Sequence, residues 1–390
     1  MRLSNSDIAA LTAFRHELHR NPEISGHEAQ TAARVVGALT GMADLVVMGL
    51  GGHGVAAVFN GAAPGPTVLF RAEIDALPIQ ELSTAPHCST VPGVAHLCGH
   101  EGHATILLGL SRLLSRHRPA KGRVILMFQP AEEDGSGAAE DGSGAAAVIR
   151  DPKFADLHPD WAFSLHNFPG IPLGECWLAA GPLSCASVGL KITLDGKTSH
   201  AAQPDHGVSP GLALAGLIPA LSALGPGGAL VPDFRLVTIT HSVLGEPAFG
   251  ISPGHAEVWA TLRTMTDAPM AALKAEATAL AQSAASDHGL QLTLSWHDDF
   301  AACANHPDAT AHIAAALDTL NIPHSPGGLP MRPSEDFGAF GTCAGSKAAM
   351  VMLGAGRNHP SLHNPDYDFP DDLIPIGTDI FHRIARDMLG

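Results

Sequence analysis

No apolar run in this chain reaches the roughly 20 residues that a helix needs to cross a bilayer, so no membrane span is expected. Basic residues are scarce: 22 Lys and Arg stand against 38 Asp and Glu, for a net charge of −16 and a pI near 5.7. That balance argues against nucleic acid and anionic membrane as partners, because both present negative surfaces. The six cysteines, at 88, 98, 176, 185, 303 and 343, show no CxxC spacing. A chain of this length buries a sizeable core and needs no disulfide framework. Five of the six read as small buried hydrophobes or inert thiols in a reducing compartment. Cys98 differs because of its neighbours. The first residues, MRLSNSDIAALTAFRHELHRNPE, lack an apolar h-region and a small-residue cleavage site, and the expected location is cytoplasmic.

What is present is the composition of a globular protein, 45% hydrophobic and 15% charged, in 390 residues. That length suggests two domains. The N-terminal stretch reads as an amphipathic helix capped by Ser6, with Ile8, Leu11, Phe14 and Leu18 on one face and Pro22 ending it. Four short apolar runs, 67–72, 123–128, 161–165 and 348–353, suit strands of a parallel sheet covered on both faces. The helical spacing of residues 103–117 between the first two gives a β-α-β rhythm, hence an α/β fold with an open, mainly parallel central sheet.

From about residue 187 to 296 the rhythm changes to β-α-β-β-α-β, the ferredoxin-like order. The strands are expected near 188–194, 235–243, 255–263 and 291–296, and the helices near 208–224 and 270–287. Sheet-forming sequence resumes at Ala348. The expected organisation is therefore a discontinuous core, residues 1–186 and 297–390, interrupted by a smaller α+β domain at 187–296. A tandem repeat of EDGSGAA occupies 133–139 and 140–146. It reads as extra surface structure, either a helix lengthened by two turns or a solvated loop.

Chemistry-bearing residues gather where strands end. Glu132 and Glu133 follow the strand at 123–128, His166 and Asn167 follow 161–165, and His359 and His363 follow 348–353. Cys98, His100 and His103 open the helix after the first strand. In open α/β sheets the crevice at the carboxyl ends of strands is where ligands bind. Thiolate, imidazole and carboxylate together suit zinc or another late first-row divalent ion. Taken singly, Cys98 is equally a buried thiol, His166 a core histidine, and Glu132-Glu133 an acidic helix start.

The stretches LHRNPEISGHE (18–28), RAEIDALPIQE (71–81), HLCGHEGH (96–103), QPAEE (129–133), LHNFP (165–169), GKTSHAAQP (196–204), SEDF (334–337) and LHNPDYDF (362–369) resemble those of the M20 metallopeptidase family. The resemblance lies with its aminoacylase and hippurate-hydrolase-like branch and runs almost end to end. It implies a catalytic α/β domain interrupted by a ferredoxin-like lid through which subunits form a homodimer or higher homo-oligomer. It implies Cys98, His100, Glu133, His166 and His363 as ligands of two divalent ions, Zn²⁺ first and Mn²⁺, Co²⁺ or Ni²⁺ as alternatives, with Cys98 bridging. It implies Glu132 as general base toward a metal-activated water, His200 as oxyanion support, Arg263 as the holder of a substrate carboxylate, and Asp75 as an anchor behind the ligands.

The expected activity is hydrolysis of the amide bond of N-acyl amino acids or related small linear amides. A dipeptidase or carboxypeptidase of the same family is the neighbouring expectation. A non-catalytic metal- or ligand-binding protein and a histidine-rich metal buffer are the rivals from other classes. Three positions depart from the family pattern. Glu73 and Glu101 stand where it has Asp, and Gly250 stands where it has an Asn that grips substrate.

Overall fold

The computed structural model describes residues 2–133 and 144–390. The EDGSGAA repeat therefore falls mostly outside the described residues. Two compact units emerge: Met1–Leu183 with Ala304–Leu329 and Asp336–Gly390, and Ser184–Cys303 with Pro330–Glu335. The second unit is wider than the 187–296 read from the sequence, because its last strand continues to Phe300 and a remote six-residue stretch joins it.

The first unit is built on one sheet. In spatial order its strands are Leu45–Leu50, Gly54–Asn60, Arg123–Gln129, Thr67–Glu73, Trp161–Pro169 and Lys347–Gly356, with short Cys176–Trp177 and His324–Ser325 beyond. The central neighbours run parallel: Thr67 pairs with Arg123, Val68 with Trp161, and Lys347 with Trp161. All seven residues of Thr67–Glu73 are buried, the apolar ones against a sheet covered on both faces and Arg71 and Glu73 paired with each other. Phe70 lies at its centre, with ring centroids 5.7 Å from Phe163 and 4.9 Å from Phe381. Truncating such a buried phenylalanine to alanine costs about 3–5 kcal/mol.

The first helix spans Asn5–Arg20. Its cap is Ser4 rather than Ser6. Ser4 Oγ accepts the Asp7 N–H, and the Asp7 carboxylate accepts the Ser4 N–H, which closes a reciprocal capping box. Asp7 at the third helical position makes that register better than one starting two residues later. None of the described helices is long and apolar enough to cross a membrane.

In the second unit four antiparallel strands lie in the order Arg235–Leu244, His255–Thr264, Ala186–Asp195 and Gln291–Phe300. Helices Gly211–Leu224 and Asp267–Asp287 supply its other layer, and Val188, Leu190, Ile192 and Leu194 alternate into the core between them. A two-stranded ribbon, Ser199–His200 with Ile251–Ser252, completes it.

Candidate metal centre

The strand ends of the first unit bring the expected ligands together. Cys98, His100 and His166 have ligand atoms within 4.8 Å of one another, and so do Cys98, Glu133 and His363. The two triads share the Cys98 sulfur. His100, Glu132 and Glu133 form a third such group. Cys98 Sγ lies 3.5 Å from His166 Nε2, and His363 Nε2 lies 3.0 Å from Glu133 Oε1.

Four of the five expected ligands are aimed by a neighbour. His166 Nδ1 is 2.7 Å from the Asn167 carbonyl, which fixes the proton there and leaves Nε2 toward Cys98. His100 Nδ1 is 3.0 Å from Asp75 Oδ1 and 3.1 Å from the Asp75 carbonyl. Asp75 also accepts the Ser25 hydroxyl and the Glu133 N–H, each at 2.7 Å. His363 adopts a left-handed backbone with φ 65°, and its N–H binds the Leu97 carbonyl beside Cys98. The side chain of His363 is 48% exposed while that of Glu133 is 14% exposed, so the cage opens to solvent at His363.

Gly99 separates two ligands and caps helix His100–Arg116 at φ 99°. That angle favours glycine, and there is a second reason for it. A Cβ at this position would overlap the Asn167 side chain and approach Tyr367 Oη to 3.0 Å. The Asn167 amide in turn donates to Tyr367 Oη at 2.6 Å and lies 2.6 Å from His103 Nε2. His103 Nδ1 meets Glu73 at 2.7 Å. Glu73 pairs with Arg71, and Arg71 pairs with Asp336. Asp336 closes the series on Gln129 and the Ala145 N–H, each at 2.8 Å. This buried series ties the segments carrying Cys98, His166 and His363 to the central strand.

The longer side chains at 73 and 101 thereby find partners. Glu101 meets His19 at 2.8 Å and Arg15 at 3.3 Å. Arg15 also binds Asp368 at 2.7 Å and Asp371 at 2.6 Å. Burial opposes charge on both partners, but the Glu101 and Glu81 hydrogen bonds raise His19 to about 9. Hydrogen bonding from His19 and the charges of His96, His19 and Arg15 hold Glu101 below the usual carboxylate range. His19, Glu101 and Asp368 also lie close enough to hold an ion, but the Arg15 guanidinium already supplies the positive charge there.

The electrostatics of the cage ask for a cation. Burial works against charge on His100, yet the Asp75 hydrogen bond and the Asp75, Glu73 and Glu133 charges raise it to about 10. Burial, then the Glu133 and Glu132 carboxylates, push the Cys98 thiol well above its ordinary value. Burial and His103 lower His166 to about 3, which keeps its ring neutral and ready to ligate. His100 Nε2 is buried without a hydrogen-bond partner among the described residues. A lone buried nitrogen is costly, and a divalent ion held by Cys98, His100 and His166 would remove that cost. The donor set fits the group.

Glu132 is buried beside the cage, its Oε2 3.8 Å from His100 Nε2. His200 and Arg263 belong to the second unit. His200 is exposed on the small ribbon, paired with Ile251, and its Nδ1 accepts the Ala202 N–H at 3.1 Å. Arg263 donates to Ser334 Oγ at 2.6 Å and to the Arg332 carbonyl at 3.2 Å. At Gly250 a Cβ would meet nothing within 4 Å, so no steric demand accounts for glycine there.

Sequence reasoning gave no role to Asn167, His103, Tyr367, Arg71, Asp336 or Glu28. Arg71 carried a usable signal: a charge in the middle of the mostly apolar run TVLFRA implies a buried partner.

Residues 69–387 match the model of peptidase family M20/M25/M40. The chain is 31% identical over 380 residues to an N-acetyl-L-cysteine deacetylase of Bacillus subtilis, covering 97% of this chain and 88% of that protein. It is 30% identical over 394 residues to an IAA-amino acid hydrolase, ILR1-like 5, of Arabidopsis thaliana, covering 97% and 86%. Its fold is similar to that of a dinuclear metal-binding M20 peptidase from Bacillus subtilis, with a TM-score of 0.79 at 24% identity over 99% of each chain.

Proposed function

This chain belongs to peptidase family M20/M25/M40 and is a metal-dependent amidohydrolase, and we propose that it cleaves the amide bond of N-acyl amino acids or similar small linear amides. One observation carries the reading: two ligand triads share the Cys98 sulfur, and Glu132 lies beside them. Cys98, His100, Glu133, His166 and His363 would hold two divalent ions, Zn²⁺ first, which supply charge to polarise the scissile carbonyl and acidify water.

The protein's own groups do the rest. Glu132 takes the proton of the attacking water and delivers it to the departing nitrogen, which is a very poor leaving group without it. Asp75 keeps the His100 ring turned so that Nε2 faces the cage. The resemblance supports His200 as oxyanion support and Arg263 as the holder of the substrate carboxylate. The N-acyl substrate class is drawn from the relatives, which are named for an acetylated cysteine and for amino-acid conjugates.

We also propose a homodimer formed through the second unit, and a cytoplasmic location. Strand Arg235–Leu244 is an outer strand of its sheet, with Val243 and Leu244 exposed. Such an edge is a template for pairing with a second copy.

The test is a screen of N-acyl amino acids, dipeptides and simple amides with protein reconstituted in Zn²⁺, Mn²⁺ or Co²⁺, read by amine release. Glu132→Ala serves as the control. N-acyl amino acids are expected to be cleaved and the variant to be inactive. Cleavage of none of the panel rejects the reading, and equal turnover of free dipeptides moves it to a dipeptidase.

A further inference from the structure

Glu28 is fully buried and precedes helix Ala29–Leu39 at its cap position, yet its side chain makes no capping hydrogen bond to that helix. Its carboxylate turns instead toward the end of strand Arg123–Gln129. There Oε1 accepts the Ala131 N–H at 2.8 Å, across 103 positions of sequence, and the Gly26 N–H at 2.9 Å. A buried carboxylate that forgoes its own helix for one distant peptide group is a specific arrangement, since desolvation must be offset by that contact.

The peptide it holds is unusual. Ala131 has φ 53°, a left-handed conformation that a Cβ-bearing residue adopts only when its surroundings impose it. Ala131 is followed directly by Glu132. On the other side, Asp75 Oδ2 accepts the Glu133 N–H at 2.7 Å, and the Ala131 carbonyl accepts the Gly144 N–H at 3.1 Å. Two carboxylates from separate segments therefore bracket Glu132, one gripping the N–H of the residue before it and one the N–H of the residue after it. Asp75 also serves the ligand His100. Glu28 touches none of the cage ligands through its hydrogen bonds, so its hold is on the base side of the turn alone.

We propose that Glu28 is a positioning residue for Glu132: it imposes the left-handed turn at Ala131 and so sets where the base carboxylate stands relative to the cage. The proposal rests on Glu132 acting as the base. A displaced base slows the chemical step while substrate binding and the metal ligands stay as they were, because misplacement by about 1 Å costs on the order of 10²-fold in rate.

The experiment compares the zinc-reconstituted full chain with Glu28→Gln, Glu28→Met and Glu132→Ala. Glutamine keeps an acceptor oxygen in the place of Oε1, whereas methionine keeps the volume and removes the acceptor. Three readouts are taken: metal per chain, kcat and KM on a substrate from the screen, and amide exchange of the peptide spanning 129–133. For Glu28→Met we expect metal content equal to wild type, KM within about threefold, kcat down by about tenfold or more, and faster exchange at the Ala131 amide. Glu28→Gln should restore both kcat and protection.

Wild-type kcat and wild-type exchange in Glu28→Met overturn the proposal. So does loss of metal in step with kcat, which would make Glu28 a general support of the fold. If Glu28→Met does not fold, protection of the Ala131 amide in the native chain decides, and unprotected exchange there rejects the clamp. Failure of the functional reading is separate: wild type then cleaves nothing, while the exchange result still stands or falls by itself.

Discussion

Asp75 Oδ1 lies 3.0 Å from His100 Nδ1, and the other oxygen of the same carboxylate takes the Glu133 N–H at 2.7 Å. One aspartate thus orients two ligands that are 33 positions apart in the chain. It fixes the tautomer of the first and the backbone of the second, as outer carboxylates behind metal-bound histidines do.

Replacing Asp75 by alanine should weaken metal binding about 10–100-fold. Competition with a coloured chelator measures it, with circular dichroism to verify the fold. Wild-type affinity in the variant would contradict the role.

Glu132 and Glu133 are adjacent in sequence but should separate in behaviour. Glu133→Gln is expected to lower the metal content below two ions per chain, because Glu133 belongs to the triad with Cys98 and His363. Glu132→Gln is expected to keep both ions and lose turnover. Elemental analysis alongside amine release distinguishes them, and a reversed pattern would exchange their assignments.

Gly99→Ala meets two obstacles at once, the φ of 99° and the Asn167 side chain. The strain should lower stability by about 1–3 kcal/mol, read as a lower thermal midpoint of the metal-free protein. Because Gly99 joins Cys98 to His100, metal affinity should fall with it. An unchanged midpoint would show that the Asn167 contact gives way freely.

Stability should fall in mild acid through His382. Burial, then nearby cations including Arg386 and Arg383, lower this histidine to about 4 from its ordinary 6.5. Below pH 6.5 the unfolded chain binds a proton that the folded chain refuses, so folding loses free energy from pH 6.5 down to about 4. Above pH 6.5 both states are neutral there and the loss vanishes. The slope is at most one proton, about 1.4 kcal/mol per pH unit. Urea midpoints at pH 7, 5.5 and 4.5 should fall less steeply for His382→Leu than for wild type, and parallel curves would rule the site out.

Leu244→Arg places a charge on the exposed end of the outer strand in the second unit. Light scattering after gel filtration should find wild type at twice the chain mass and the variant nearer one. A monomeric wild type, or an unaffected dimer, would remove the strand edge from the interface.

Much of the architecture was written locally. The four largely apolar runs became strands of the central sheet because a sheet covered on both faces buries nearly every residue of its central strands, and the β-α-β-β-α-β order of the second unit showed in its periodicity. The register of the first helix was misread by two residues, since Ser4 and Ser6 look alike until the Asp7 carboxylate chooses between them. The limits of the second unit were also missed, as residues 330–335 join it only through spatial contact.

At the site, residue types and positions after strand ends singled out Cys98, His100, His166, His363 and the Glu132-Glu133 pair as candidates, because metal ligands must be drawn from a few side chains and a sheet delivers its chain ends to one rim. The resemblance to the M20 family implied which five of them are ligands. What no linear reading contained is who holds them. That Asn167 needs Gly99 to be glycine, that Glu73 reaches from Arg71 to His103, and that Glu28 leaves its own helix to grip Ala131 are relations across tens to more than a hundred residues. A hydrogen bond depends on separation and direction within a few tenths of an ångström, quantities that only the folded chain assigns.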